Sequence, residues 1–345
     1  MDQTATPPRT VAELEEALSR PTAGLIEALA GLPGDLLVLG AGGKMGPSLS
    51  VMAKRAADAA GVPRRVMAAS RFTDATARDC LAEHGVSVFP CDFLAPGALD
   101  ALPDAEHIVY MAGMKFGAAR QQALTWALNA WLPGMVCRRY PHSRAVIFST
   151  GNIYGLTPVS RGGSREDDAP DPQGEYAMSA LGRERVCEYV SRAHGMAQSV
   201  IRLNYACDLR YGVLVDIARN VLAGRPVSLA MGYLNTIWQG DANAMALTAL
   251  AHAASPPCVL NVTGARILRV RDVAAQFGRH FGKTPVFEGV EAADALLSDS
   301  SRAHALFGPP QVDEDRLTAW VAHWLLEGGP LLDKPTHFES RDGQF

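Results

Sequence analysis

The chain has 345 residues, of which 48% are hydrophobic and 20% are charged, and its formal net charge is −4. This balance is typical of a globular protein that has room for one large α/β domain and a second lobe. The mild negative charge offers no basic surface for nucleic acid or an anionic membrane, and no run reaches the roughly 18 to 20 apolar residues of a membrane helix. We therefore expect neither a nucleic-acid partner nor a membrane partner.

The six cysteines are scattered without a CxxC pair, and the nine histidines form no HExxH motif. This spacing is typical of a reduced protein rather than of a disulfide framework or a zinc site. We expect no metal and a cytoplasmic location.

In chain order, strands and helices alternate. A helical extension is predicted at 1–32, followed by apolar strands at 35–40, 64–70, 85–92, 107–113, 144–150 and 198–204 with helical segments between them. This alternation predicts an α/β fold, a Rossmann-type doubly wound parallel sheet, over residues 33–205.

Beyond residue 205 the alternation weakens. Helices are predicted near 213–223 and 241–254, and short strands at 226–230 and 258–262. We interpret 206–330 as mainly a smaller, C-terminal substrate-binding lobe. Residues 331–345 are polar without periodicity and are predicted to be a tail.

The first strand runs into the loop GAGGKMG, which contains Gly40, Gly43 and Gly46 in a GxxGxxG pattern together with Lys44 and Met45. Glycine is needed where the backbone turns sharply and approaches a pyrophosphate at a helix N-terminus. A tight strand–helix turn without a ligand is the alternative. The strand before the loop and the helix after it favour dinucleotide binding.

The second strand ends in Ser70 and Arg71. Enzymes that select NAD usually carry an acidic residue here for the ribose 2′-hydroxyl, whereas an arginine can face a 2′-phosphate. The alternative is that Arg71 only lies over the adenine. We expect NADP or NAD, with NADP modestly favoured.

The segment GEYAMSALGRERV (174–186) has a tyrosine at the start of a helix. With the glycine loop, it resembles the extended short-chain dehydrogenase/reductase family, in its NAD-dependent epimerase/dehydratase branch, over about residues 35–265. The resemblance implies Thr150, in FSTGNIYG (148–155), as the catalytic hydroxyl and Tyr176 as the general base, with Tyr176 also touching the cofactor. It further implies cofactor contacts from Asp92, Phe93, Met111, Ala112, Gly113 and Lys115.

The sequence departs from the family pattern near these residues. Family dehydratases carry an Asp-Glu pair after the strand-five hydroxyl, where this chain has Gly151 and Asn152, so a nucleotide-sugar dehydratase is disfavoured. We expect substrate contacts from Asn152, Asn204 and Arg210, although Asn204 stands one place before the family asparagine.

The largest departure lies four positions after Tyr176, where the family has a lysine and this chain has Ala180. That lysine holds the cofactor ribose and lowers the pKa of the tyrosine. Three explanations stay open: a substitute charge from Lys115 or Arg183, a neutral tyrosine mechanism, or binding without turnover. Lys115 is the better substitute, because Arg183 is two helical turns from Tyr176.

These observations predict an atypical NAD(P)-dependent oxidoreductase or epimerase that acts on a hydroxyl of a sugar or a sugar-derived small molecule. The alternative is a catalytically silent dinucleotide-binding regulator that senses redox state. The resemblance also implies a homodimer formed through the helices at about 119–139 and 176–193.

Overall fold

The centre of the fold is a seven-stranded parallel sheet, as seen in a computed structural model that describes residues 6–73 and 75–343. Residues 1–5 of the predicted N-terminal extension and residues 344–345 of the predicted tail lie outside the described residues. In chain order the strands are β1 (Leu36–Leu39), β2 (Val66–Ser70), β3 (Ser87–Pro90), β4 (His107–Tyr110), β5 (Arg144–Thr150), β6 (Thr157–Pro158), β7 (Gln198–Leu203), β8 (Ala206–Cys207), β9 (Pro226–Ser228), β10 (Tyr233–Leu234), β11 (Ile237–Trp238), β12 (Cys258–Val262), β13 (Leu268–Arg269), β14 (Val286–Glu288) and β15 (Asp294–Ala295).

The large sheet has the order β12-β7-β5-β4-β1-β2-β3, and every neighbouring pair is parallel. The order reverses between β1 and β4, and a sheet of this kind binds its ligand at that switch point, outside the carboxyl ends of the strands. The predicted Rossmann-type doubly wound fold is thus confirmed.

Helices cover both faces of this sheet, which is why its central strands are continuously apolar rather than alternating. All four residues of β1, Leu36–Leu39, have no exposed surface. The helices are α1 (Val11–Leu18), α2 (Ala23–Ala30), α3 (Gly46–Ala59), α4 (Ala75–Glu83), α5 (Gln122–Trp126), α6 (Leu132–Arg139), α7 (Gly174–His194), α8 (Val213–Leu222), α9 (Gln239–Thr248), α10 (Val270–Phe281), α11 (Ser301–Phe307) and α12 (Glu314–Leu326).

One strand lies in a different layer from the one predicted. The sequence predicts the strand at 258–262 in the smaller lobe, but β12 pairs in parallel with β7 and forms the edge of the central sheet. Leu260 and Val262 are buried in the same core as α2, α3 and α9. The chain position misled the prediction because more than fifty residues separate β12 from the strand beside it.

The helix predicted at 119–139 is also interrupted. A π-helical turn, Ala127–Trp131, separates α5 from α6. Pro133 stands at the start of α6 and cannot donate a backbone N–H to the preceding turn. This interruption matters for the site described below.

A second core lies mainly within the part of the chain that the sequence predicts to be the smaller lobe. It packs α8, α10 and α12 around buried aromatic side chains, among them Trp238 and Trp320, whose rings meet edge to face at 5.5 Å. Within the described residues, no helix is long and apolar enough to cross a membrane, and a search of the same residues finds no cluster of potential metal ligands.

The described part of the C-terminal tail packs against the body of the protein. Thr336 donates hydrogen bonds from its backbone N–H and its hydroxyl to Asp216, at 2.8 and 2.6 Å, and Phe338 is buried in the second core. The His337 ring lies 6.4 Å from that of Phe116, in the loop after β4. The tail therefore connects the smaller lobe with the rim of the sheet domain.

Candidate active site

The glycine loop is shaped by close backbone packing. Gly40 has φ +95°, and a Cβ there would lie 2.4 Å from the backbone nitrogen of Ala112, at the end of the neighbouring strand β4. A Cβ at Gly46 would lie 2.3 Å from the carbonyl oxygen of Ala41. Both glycines are therefore required for the turn from β1 into α3, whereas a Cβ at Gly43 would meet only the Gly40 carbonyl, at 3.5 Å.

The N-terminus of α3 can hold an anion. Met45 occupies the N-cap position and makes no side-chain cap, and a proline stands in the first turn. No side chain of the helix's own cap takes its first N–H groups, which leaves them available to a pyrophosphate. The loop thus fits the phosphates of a dinucleotide.

The residues predicted to contact the adenosine half line the same edge of the sheet. The Ser70 side chain lies against the glycine loop, where a Cβ at Gly42 would be 2.7 Å from its hydroxyl oxygen. Arg71 and Asp92 are exposed beside it, and Asp92 accepts a hydrogen bond from the backbone of the nearby loop. Phe93, by contrast, is 7% exposed and belongs to the core beneath.

Thr150 and Tyr176 come together at the carboxyl end of β5. Their hydroxyl groups are hydrogen-bonded to each other. Thr150 also donates to the side-chain oxygen of Asn152 at 3.0 Å and accepts from its backbone N–H at 3.2 Å. Burial raises the pKa of Tyr176, while its hydrogen bond with Thr150 and the charge of Arg183 lower it.

Two lysines from different loops lie in this part of the cleft. The Lys115 ammonium lies 5.7 Å from the centre of the Tyr176 ring, and burial together with the charge of Lys44 lowers the pKa of Lys115 to about 8. Lys44 donates to the carbonyl of Ala206 at 3.1 Å and lies 4.1 Å from the centre of the Tyr211 ring. Lys44 therefore reaches from the glycine loop across to the smaller lobe.

Ala180 is 1% exposed and packs against Ile153, Tyr154 and Leu181. The cation nearest in sequence on the same face is Arg183, which is 6% exposed and donates hydrogen bonds to Asn129 and to the carbonyl of Phe148. The distance along the helix favours Lys115 over Arg183 as the substitute charge, but a long arginine side chain leans back toward the helix N-terminus.

The three predicted substrate residues lie in different surroundings. Asn152 is beside Thr150, as described. Asn204 is buried and donates to the side-chain oxygen of Asn235 and to the carbonyl of Leu296, at 2.9 and 3.2 Å. Arg210 forms ion pairs with Asp208 and with Glu15 of α1, so its side chain is directed toward the N-terminal extension.

The backbone after β4 completes the site. Met111 donates its N–H to the carbonyl of Leu39, Ala112 packs on the glycine loop, and Gly113 is exposed at the cleft. Gly113 packs closely on the Arg183 guanidinium, since a Cβ there would lie 2.6 Å from it. The sequence does not predict this contact. A glycine facing a buried arginine carries no local sequence signal.

Comparisons with known proteins agree with this geometry. The model of the NAD dependent epimerase/dehydratase family matches residues 36–230, more than half of the chain. The chain belongs to this family. It is therefore an enzyme of the extended short-chain dehydrogenase type, and the resemblance found in the sequence is confirmed.

Solved structures share the fold at low sequence identity. UDP-glucuronic acid 4-epimerase from Bacillus cereus, in complex with UDP-glucuronic acid and NAD, superposes with a TM-score of 0.70 at 16% identity, over 85% of this chain and 99% of that one. UDP-glucose 4-epimerase from Thermus thermophilus, with NAD, gives 0.67 at 19% identity over 84% and 98%. dTDP-glucose 4,6-dehydratase from Bacillus anthracis, with NAD, gives 0.71 at 16% identity over 85% and 96%. A search of curated proteins found no significant match.

Proposed function

We propose that the protein is a nicotinamide-dinucleotide-dependent oxidoreductase or epimerase that acts on a secondary hydroxyl of a sugar or sugar-derived molecule. The observation that carries the proposal is the hydrogen-bonded pair Thr150–Tyr176 at the carboxyl edge of the sheet, next to a glycine loop with an uncapped helix N-terminus. The matched structures named above bind NAD together with a sugar nucleotide or act on one.

Each group at the site has a separate role. The glycine loop with Gly40, Gly43, Lys44 and Met45 would hold the dinucleotide phosphates, and the bound nicotinamide supplies hydride acceptance and return. Tyr176 takes the proton from the substrate hydroxyl when the carbinol is oxidised and gives it back on reduction. Thr150 holds that hydroxyl by a hydrogen bond, and Asn152 fixes the rotamer of Thr150.

Lys115 is proposed as the third member of the catalytic group. Its ammonium lies near the Tyr176 ring, on the loop that follows β4. A lysine whose pKa is about 8 is still largely charged at neutral pH, so it can hold an anionic oxygen of cofactor or substrate. Among the predicted substrate residues, Asn152 has the most direct position, because it adjoins the reacting hydroxyl pair.

Dehydration is disfavoured at this site. Gly151 and Asn152 follow Thr150, and neither can serve as the acid or base that must remove water. A Cβ at Gly151 would lie 2.8 Å from the Ser298 hydroxyl, so no larger residue fits there without movement. We therefore propose oxidation or epimerisation rather than elimination.

The preference between cofactors rests on the second strand. Arg71 is exposed at the carboxyl end of β2, where it can meet a 2′-phosphate, and Ser70 lies against the glycine loop. We propose NADP as the modestly preferred cofactor, with NAD also accepted. The matched structures were solved with NAD, which makes the choice worth measuring.

Assembly and location complete the proposal. Large exposed apolar side chains lie on α5, the π turn and α7, the helices implicated in dimer formation: Leu124, Trp126, Trp131, Met178 and Tyr189. We propose a homodimer through this face, to be checked as a solution mass of twice 36.8 kDa by light scattering. All six cysteines are described and free, which supports the proposed cytoplasmic location.

The test is a panel of sugar nucleotides, free sugars and sugar acids, incubated with NAD or NADP. Reduced cofactor is followed by absorbance, and the stereochemistry of recovered sugar by NMR. An oxidoreductase accumulates reduced cofactor, whereas an epimerase changes the sugar without net reduction. Tight dinucleotide binding with neither outcome across the panel would favour the silent regulator.

A further inference from the structure

The active-site helix presents three residues on one face. Tyr176, Ala180 and Arg183 are spaced four and then three positions apart, so their side chains follow one another along α7. Helical side chains lean toward the N-terminus. The Asn129 side chain accepts a hydrogen bond from the Arg183 guanidinium at 3.1 Å and donates one to the Ser179 hydroxyl at 2.9 Å, so the guanidinium lies near the turn that contains Ala180. The long side chain of Arg183, one turn after Ala180, can thus place its charge closer to Tyr176 than the two helical turns between them suggest.

The guanidinium has a fixed position. Its Nε donates to the backbone oxygen of Asn129 at 3.0 Å, and Nη2 donates to the side-chain oxygen of the same residue at 3.1 Å. Nη1 donates to the carbonyl of Phe148, in β5, at 2.5 Å. These three bonds tie α7 to the π turn and to the strand that carries Thr150.

The backbone carbonyl of Asn129 is available to accept from Arg183 because of a proline four positions later. In an α-helix it would accept from the residue four positions later, which is Pro133 and has no N–H. A buried carbonyl without a hydrogen-bond donor costs free energy, and the Arg183 Nε supplies a donor to the Asn129 carbonyl in the π turn. The Asn129 side chain also fixes the backbone of the loop after β4, because it accepts a hydrogen bond from the Met114 N–H at 2.8 Å and donates one to the Met114 carbonyl at 2.9 Å.

We propose that Arg183 is a positioning residue, which supplies beside Tyr176 the fixed positive charge that relatives obtain from a lysine at the position of Ala180. This inference rests on the proposed function, because it concerns the base of the same reaction. Through Asn129 the same side chain also sets the loop 113–115 that carries Lys115.

The charge of Arg183 is not neutralised by its hydrogen bonds. Its three acceptors among the described residues are neutral oxygens of Asn129 and Phe148. The nearby carboxylate of Glu184 is held instead by Arg202, at 2.8 Å, and by the Ser149 hydroxyl. The positive charge is therefore held by neutral acceptors close to Ser179, whose hydroxyl donates to the Tyr176 carbonyl at 3.0 Å, and it lowers the pKa of Tyr176 against the effect of burial.

Other groups that face Tyr176 define the controls. Thr150 approaches from β5, Lys115 from the loop after β4, and Tyr211 from the loop before α8. Arg183 itself contacts the Tyr110 ring, at 5.4 Å, and interacts with the Cys187 thiol. The pKa of Tyr176 is thus the quantity to measure, in variants that leave these groups intact.

The experiment measures the titration of Tyr176 directly and needs no substrate. Ultraviolet difference absorbance of tyrosinate is recorded against pH, and the curve of the matching Tyr176→Phe protein is subtracted. Arg183→Gln and Arg183→Lys form the central pair, because both are shorter and polar and only the second keeps the charge. Arg185→Gln, at an exposed arginine of the same helix, is the control.

We expect Arg183→Gln to raise the pKa of Tyr176 by about one unit or more, and Arg183→Lys by less than about half a unit. Arg185→Gln should leave it unchanged. Adding Ala180→Lys to Arg183→Gln should lower the pKa again. A folded Arg183→Gln protein with the wild-type pKa would overturn the proposal.

If the neutral variant does not fold, Arg183→Lys decides alone. It retains the charge and loses hydrogen bonds, so a rise of about one unit in it would contradict an electrostatic role. Because turnover is not the readout, a protein inactive on every substrate still shows whether Arg183 lowers the pKa of Tyr176. Failure of the proposed function and failure of this inference are thereby separate.

Discussion

The two sides of the cleft are built in different ways. On the glycine-loop side, backbone packs on backbone: Gly40 against Ala112, and Gly46 against Ala41. On the tyrosine side, side chains from distant segments meet, as Asn129 and Arg183 do across 54 positions of sequence. The first arrangement tolerates almost no change of residue type, whereas the second can be rebuilt with a different residue in the same role.

This difference bears on the resemblance drawn from the sequence, which holds at the glycine loop and departs at Ala180. A Cβ within 2.4 Å of a neighbouring backbone atom cannot be accommodated by a rotamer change. A positive charge, by contrast, acts over several ångströms and can be delivered by another side chain of suitable length. Alanine at position 180 is therefore compatible with the proposed reaction.

The largest effect is expected on the backbone side. Gly40→Ala should destabilise the fold by about 3 kcal/mol or more and abolish dinucleotide binding, because the methyl group would collide with the end of β4. Urea unfolding and a dinucleotide titration measure the two effects. Gly61→Ala is the matched control: φ is +65° with no atom within 4 Å of the new Cβ, so only about 1 kcal/mol is expected. An equal loss of unfolding free energy and of dinucleotide affinity in the two variants would contradict the claim that backbone packing makes the glycine-loop side intolerant of change.

A smaller effect is expected at the rim, where a side chain acts on one part of the cofactor. Arg71→Ala should weaken NADP by roughly tenfold or more and NAD much less, which is the effect of one charge-assisted hydrogen bond. Arg65→Ala, at an exposed arginine just before the other end of β2, is the control. An equal loss of affinity for both cofactors in calorimetric titration would contradict a contact between Arg71 and the 2′-phosphate.

The smallest effect is expected at Lys115. Its pKa of about 8 means that the ammonium is charged below that pH and loses its charge as the pH rises through it. We therefore expect kcat/KM to fall severalfold above about pH 8 in the wild type, and this limb to disappear in Lys115→Met, whose activity is lower throughout. Lys54→Met, in an exposed helical ion pair with Asp58, should keep the wild-type profile. If kcat/KM of Lys115→Met still falls above about pH 8, the fall belongs to the titration of another group.

The same contrast decides what the sequence could predict. The positions of the first six sheet strands and the glycine loop followed from local patterns, because strand, turn and helix are contiguous in the chain. The seventh strand, β12, was assigned to the wrong layer since its partner β7 is remote in sequence. The π turn at Ala127–Trp131 was also missed, although Pro133 is a local sign that the helix there is irregular.

Within the site, residue types were easier to predict than their contacts. The pairing of Thr150 with Tyr176 followed from family resemblance, and the structure brings the two hydroxyls together. The direction of Arg210, toward Glu15, depends on how the N-terminal helix packs, which no motif encodes. The tail gave no periodic signal because it has no regular structure, yet Thr336 and Phe338 fasten it to the smaller lobe.

The central claim is that Tyr176 moves the proton while hydride passes between substrate and dinucleotide. Single-turnover absorbance of reduced nicotinamide, in wild type and in Tyr176→Phe with a substrate from the panel, tests it most directly. The claim predicts a rate roughly 100-fold or more lower in Tyr176→Phe and an unchanged dinucleotide affinity. It predicts no change in the control Tyr140→Phe, whose hydroxyl donates to the Pro103 carbonyl at the opposite edge of the sheet. A Tyr176→Phe protein that reduces the cofactor at the wild-type rate would contradict it.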